Sequence, residues 1–280
     1  MHDENDFAVF LTNRMTVQSD AIKKHPYWSP LIDNASKQIY EFDAETSISL
    51  DFKESYSPDL HRFIKLCIPF FELNHAIEGK QDLVAESLSA ASMFLWCQVW
   101  RPLDDILDKE GSLHSNLKAL IQSFSRAQHF MYSRNLIASS ENFSLCEQLF
   151  SNIDVEHDIS KRSHYNYIFH RAAVFTTAVV AMKYDPKSLN AYREYINIIG
   201  FLYDFIDFIH DLEMKSATPV TKMWEDLGDK YSLSNKKMQS FTKNCDSLIT
   251  KKIEIFRSQF SSPTPITLQC IDDAYIWAFT

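Results

Sequence analysis

The run Asp104-Asp105-Ile106-Leu107-Asp108 sets two aspartates side by side and a third three positions on, the pattern DDxxD. On a helix Asp104 and Asp108 lie one turn apart on one face, so both carboxylates reach a single site. Carboxylates that close repel each other unless a cation stands between them, and hard oxygen ligands suit Mg2+. Most acidic runs are solvated turns at helix ends. This one directly follows Phe94, Leu95, Trp96, Val99 and Trp100 and contains Leu103, Ile106 and Leu107. Charges at the mouth of an apolar helix are costly to maintain without a partner.

A second acidic stripe lies about a hundred residues on. In the stretch from Gly200 to Glu213, Asp204, Asp207 and Asp211 fall at i, i+3 and i+7, which is one face of a helix. Between them stand Phe201, Leu202, Phe205, Ile206, Phe208 and Ile209. Structural salt bridges are the main alternative, and the nearby cations in sequence are His210 and Lys215. Two such helices facing each other make a site for several Mg2+ ions with an aromatic pocket beneath. Aromatic faces steady carbocations by about 0.5–2 kcal/mol each. Phe94, Trp96, Trp100, Phe175, Phe201 and Phe208 are the candidates, with plain core packing expected for most of them. Trp100 precedes Asp104 by one turn, where its bulk would limit the depth of a pocket.

The elements that carry these residues read as helices. Only 4 glycines and 9 prolines occur in 280 residues, too few for many tight turns. From Asp59 the apolar spacing is helical, and residues 83–108 are apolar on almost every side near Phe94–Trp100, as a central buried helix requires. Further helices are expected over 113–134, 140–152, 159–184, 188–214, 235–260 and 267–278. Pro102 predicts either a kink just before the acids or a fresh helix start. Residues 1–57, interrupted by Pro26 and Pro30, read as an N-terminal arm with short helices. Residues 58–280 read as one helical domain.

With 45% hydrophobic and 14% aromatic residues, the chain has material for a large core. A net charge of −9 with no basic stripe argues against nucleic acid. Five scattered cysteines without a CxxC pair read as reduced thiols. The acidic N-terminus lacks the features of a signal peptide, and no apolar run approaches the ~20 residues of a membrane span. These features predict a cytoplasmic protein with no transmembrane segment, and a homodimer is left open.

The two acidic motifs resemble those of the trans-prenyltransferase and class I terpene synthase superfamily. Residues 104–108 match its first aspartate-rich motif in full. The segment from Gly200 to Asp211 is similar to the second, GxxFQxxDDxxD. There Tyr203 stands for the aromatic, Asp204 for the glutamine, Asp207 and Asp211 for the first and last aspartates, and Phe208 replaces the middle one. His170-Arg171-Ala172-Ala173 sits where the family has a Lys-Thr-Ala-type stretch. Thr218-Pro219-Val220-Thr221-Lys222 is similar to its Gly-Lys-Pro segment. The resemblance spans roughly residues 60–230. It implies an all-α, single-domain bundle of long, mostly antiparallel helices around a central cavity. Metal ligation falls to Asp104, Asp105, Asp108, Asp204, Asp207 and Asp211. Arg171, Lys222 and Lys215 neutralise a diphosphate, and Phe94, Trp96, Trp100, Phe175, Tyr203 and Phe208 line the substrate pocket. The reaction implied is Mg2+-dependent ionisation of a prenyl diphosphate, with Asp104, Asp108, Asp207 and Arg171 catalytic. Chain-elongating members carry an Arg pair after the first motif, where this sequence reads Lys109-Glu-Gly-Ser. Isopentenyl diphosphate is held in them by a Gly-Lys-Arg segment, for which His61, Arg62 and Lys65 are the nearest candidates. Typical cyclases carry an Asn-Asp…Ser…Glu second motif and a C-terminal Arg-Tyr pair, both missing here. The departures leave a terpene cyclase as the expected activity. A prenyltransferase using isopentenyl diphosphate or another acceptor is the alternative, and a non-catalytic subunit of the same fold the third reading.

Overall fold

The computed structural model describes residues 19–46, 64, 67–107, 111–136, 186–213, 235–260 and 265–279. Among the described residues every regular element is a helix. After a short helical stretch over 19–24 come α1 (Trp28–Thr46), α2 (Ile68–Glu78), α3 (Leu83–Leu107), α4 (Leu113–Ser133), α5 (Pro186–Glu213), α6 (Asn235–Gln259) and α7 (Pro265–Phe279). The expected helices over 140–152 and 159–184 lie outside the described residues.

The N-terminal reading needs correction. Pro26 and Pro30 do not hold this region to short helices, because α1 runs for 19 residues. Pro30 falls in its first turn, where a backbone N–H has no partner inside the helix, so a missing one costs little. Trp28, Leu31, Ile32, Ala35, Ile39 and Phe42 make a continuous buried stripe on α1. The helix packs on α3 and is part of the core.

Pro102 does not start a new helix: α3 runs on through it, and Pro102 is buried. The hydrophobicity all round α3 has its reason in its neighbours. Buried Met93, Phe94, Leu95, Trp96 and Val99 face several directions at once, and α1 and α4 both pack on this helix. Helix α2 turns back along α3 as an antiparallel hairpin, with His75 paired to Glu86 and the Cys67 thiol directed to the Ala90 carbonyl. Gly79 makes that turn possible. Its φ of 66° is left-handed, and its N–H closes α2 on the His75 carbonyl at 2.9 Å.

The other half of the fold is built on α5, which packs against α2, α7 and α6. Helices α5 and α7 run the same way, with Tyr195 beside Cys270 and Phe205 stacked on Phe279. Helix α6 runs against α7, held by Arg257 to Asp272 and by Tyr275 donating to Asp246 at 2.6 Å. One contiguous hydrophobic cluster takes side chains from all seven of these helices.

Candidate functional site

Helix α5, which bears the second acidic motif, packs on α2 around Tyr192. This phenol is fully buried and lies near enough to the thiols of Cys67 and Cys97 to feel their charge. Burial, and then the two thiols, push its pKa well above the ordinary phenol value. Cys97 belongs to α3, and Phe70 of α2 packs edge-on to Tyr192 at 5.2 Å. From Cys97, Asp104 lies seven residues on, about 10 Å up α3 and on nearly the same face. From Tyr192, Asp207 lies 15 residues on, about 22 Å up α5.

Both acid sets fall late in their helices. Gly111, with φ 65°, stands outside α3, which leaves Asp104 and Asp105 in that helix's last two turns. Helix α5 is described as far as Glu213, with Asp204, Asp207 and Asp211 in its last ten residues. Helix C-termini carry partial negative charge and favour cations, each such charge interaction being worth about 0.3–1 kcal/mol. The last turn of α3 holds no basic residue. Asp104, in that last turn, works against the helix dipole.

Of the expected metal ligands, Asp105 has a described side chain, and it is half-buried. Asp104, Asp204, Asp207 and Asp211 have described helical backbone only, and Asp108 lies outside the described residues. Among the described residues no three His, Cys, Asp or Glu side chains group as a metal site, and those five carboxylates are not among the described side chains. Arg171, Phe175, Lys215 and Lys222 also lie outside the described residues. Trp100 and Phe208 are placed by backbone within α3 and α5.

The described aromatics take up packing roles. Phe94 is 2% exposed. Trp96 faces α4, where its indole N–H points to the Met131 sulfur at 2.9 Å and its ring meets Phe124 edge-on. Tyr203 is partly buried against the core. Phe201, 3% exposed, is core.

Three polar arrangements escaped the sequence reading. Glu86 accepts from the Tyr27 hydroxyl at 2.6 Å and pairs with His75 Nε2 at 2.8 Å, while His75 stacks flat on Trp28. Glu72 accepts from the N–H groups of Ile266 and Thr267 and from the Thr267 hydroxyl. It thereby caps the N-terminus of α7 from across the core. Burial raises the Glu72 pKa despite these bonds. Asn197 of α5 is 6% exposed, and its Oδ1 has no hydrogen-bond partner. A visible signal existed for this last one: an amide alone within Ile196–Ile199, seven residues before Asp204. The other two depend on contacts that sequence spacing does not carry.

No protein-family profile, curated protein or solved structure matches this chain. No helix among the described residues is long and apolar enough to cross a membrane.

Proposed function

We propose that this chain is a class I isoprenoid synthase that ionises a prenyl diphosphate and turns the resulting cation into a cyclised or rearranged product. One observation carries the reading. Helix α5 carries Asp204, Asp207 and Asp211 at one-turn spacings, and α3 carries Asp104 and Asp105 in its last turn, where a carboxylate opposes the helix dipole and calls for a cation. The candidate donors are all carboxylate oxygens, a set that fits a hard divalent ion such as Mg2+ better than zinc or copper. Asp104, Asp105 and Asp108 would hold the ions from the α3 side, and Asp204, Asp207 and Asp211 from the α5 side. Bound there, Mg2+ supplies Lewis-acid stabilisation of the departing diphosphate.

The chain's own residues do the rest. Arg171, Lys215 and Lys222 neutralise the remaining diphosphate charge. The apolar body of α3 and α5 keeps water from the allylic cation, with Trp100 and Phe208 as its nearest aromatic faces. Phe94, Trp96 and Tyr203 hold the two helices in place through the packing described above.

The test is incubation of the purified protein with Mg2+ and, separately, geranyl, farnesyl and geranylgeranyl diphosphate. Diphosphate release and organic products are measured together. A cyclase releases diphosphate and forms product without a second substrate. Product that forms only when isopentenyl diphosphate or another acceptor is added assigns a prenyltransferase instead. No Mg2+-dependent release from any of the three removes the enzymatic reading and leaves a non-catalytic helical protein.

A further inference from the structure

His25 caps the turn that opens α1. Its carbonyl accepts from the Ser29 N–H at 3.3 Å, and its ring nitrogen Nδ1 accepts from the N–H groups of Tyr27 and Trp28, each at 3.2 Å. Satisfying free N–H groups at a helix start is ordinarily the work of Ser, Thr, Asp or Asn, whose oxygens remain acceptors near neutral pH. An imidazole can do it only while neutral, because both ring nitrogens of the charged form are donors. The two residues whose N–H groups are held this way also dock the start of α1 on its neighbours. Tyr27 donates to Glu86 of α3, and Trp28 stacks flat on His75 of α2. The His25 ring stacks on Trp28 as well, with 5.6 Å between ring centres.

We infer that His25 is a pH-sensitive latch at the start of α1, capping the helix when neutral and releasing it when protonated. The imidazolium sets a ring N–H against two backbone N–H donors and places a positive charge at the positive end of the helix dipole. His25 is exposed, so protons reach it without any opening of the fold. The Tyr27 and Trp28 N–H groups and the Trp28 ring face it from its own helix, and Lys23 and Lys24 precede it in the chain. Beyond Tyr27 and Trp28 stand Glu86 of α3 and His75 of α2, which are paired with each other. Partial burial lowers the His25 pKa from the ordinary imidazole value. With the folded value below the unfolded one, the cap is fully effective above the unfolded value. It is lost as pH falls through the folded value. What loosens then is the start of α1, with the Tyr27 and Trp28 contacts to α3 and α2.

The experiment follows hydrogen exchange in the full chain across peptides covering 25–32, from pH 8 to pH 5, corrected for the intrinsic exchange rate at each pH. Wild type, His25→Asn and His25→Ala are compared. Wild-type protection should fall about fivefold toward pH 5, the usual effect of losing an N-cap. His25→Asn keeps an acceptor that does not titrate, so its profile should be flat. His25→Ala should be weakly protected throughout. The His75–Glu86 pair is common to all three proteins and cancels in the comparison. Imidazole 15N spectra of the wild type give a reading that needs no variant. At pH 8 the proton of His25 should sit on Nε2, and the midpoint of its titration should coincide with that of the exchange profile. A flat wild-type profile, a His25→Asn profile that falls like the wild type, or a proton on Nδ1 at pH 8 overturns the latch.

Discussion

A carboxylate in the last turn of a helix is a poor choice for stability, and Asp104 of α3 makes it. On the function proposed above, such a residue contributes to chemistry more than to folding. Asp104→Ala and Asp108→Ala should each lower kcat/KM for prenyl diphosphate ionisation by about 10²–10³, the equivalent of several kcal/mol of lost charge stabilisation. Their thermal midpoints should stay at or slightly above the wild-type value. Near-wild-type turnover by either variant in Mg2+ rules out residues 104–108 as ligands. The thiols give a second residue-scale test. Burial raises Cys67 well above the ordinary thiol value and Cys245 to about 12. The thiolate is the reactive form. Native protein treated with iodoacetamide at pH 8 should therefore leave both cysteines unmodified in peptide maps, and urea should make both react. Native labelling of Cys245 contradicts its placement in the α6 core stripe.

The helices differ in how plainly the sequence announces them. Expected spans over 113–134, 188–214, 235–260 and 267–278 fall within two residues of α4, α5, α6 and α7 at each end, because amphipathic spacing is a local signal. Helix α1 was hidden by Pro26 and Pro30, whose cost depends on whether they lie inside the helix or in its first turn. The capping of α7 was also illegible, since Glu72 acts on Thr267 from 195 residues away. That cap carries a pH signature. Burial holds the folded-state pKa of Glu72 above its unfolded value. Between the two values the native state binds more protons than the unfolded state, so stability falls as pH rises. Chemical denaturation measured from pH 4 upward should show this falling component in wild type and lack it in Glu72→Gln. Parallel profiles for the two proteins remove Glu72 as its source.

At the scale of the whole molecule, the all-helical architecture of the described residues was readable from scarce glycine and proline and from apolar periodicity. The packing of α5 on α2, with Tyr192 edge-on to Phe70, was not, because it is a tertiary fact about residues far apart in the chain. The cooperativity of the molecule follows from the same packing. Helix α3 lies between α1, α2 and α4 and buries twelve of the fourteen positions from Glu86 to Val99, only Leu88 and Cys97 being partly open. Opening its hydrogen bonds means dismantling several interfaces at once. Among its described side chains helix α6 buries only Cys245, Ile249, Ile253 and Phe256, a single stripe, and turns the others outward or half outward. Local opening is easiest where few apolar contacts must be broken. In hydrogen exchange followed by mass spectrometry, peptides covering 242–259 should therefore exchange faster than peptides covering 86–99, by about one to two orders of magnitude if opening α6 saves about 1.5–3 kcal/mol. Asn235–Gln259 should exchange first without loss of the α3 signal. Equal protection in both segments means that α6 opens only with the whole core, and the single-stripe attachment does not set its stability.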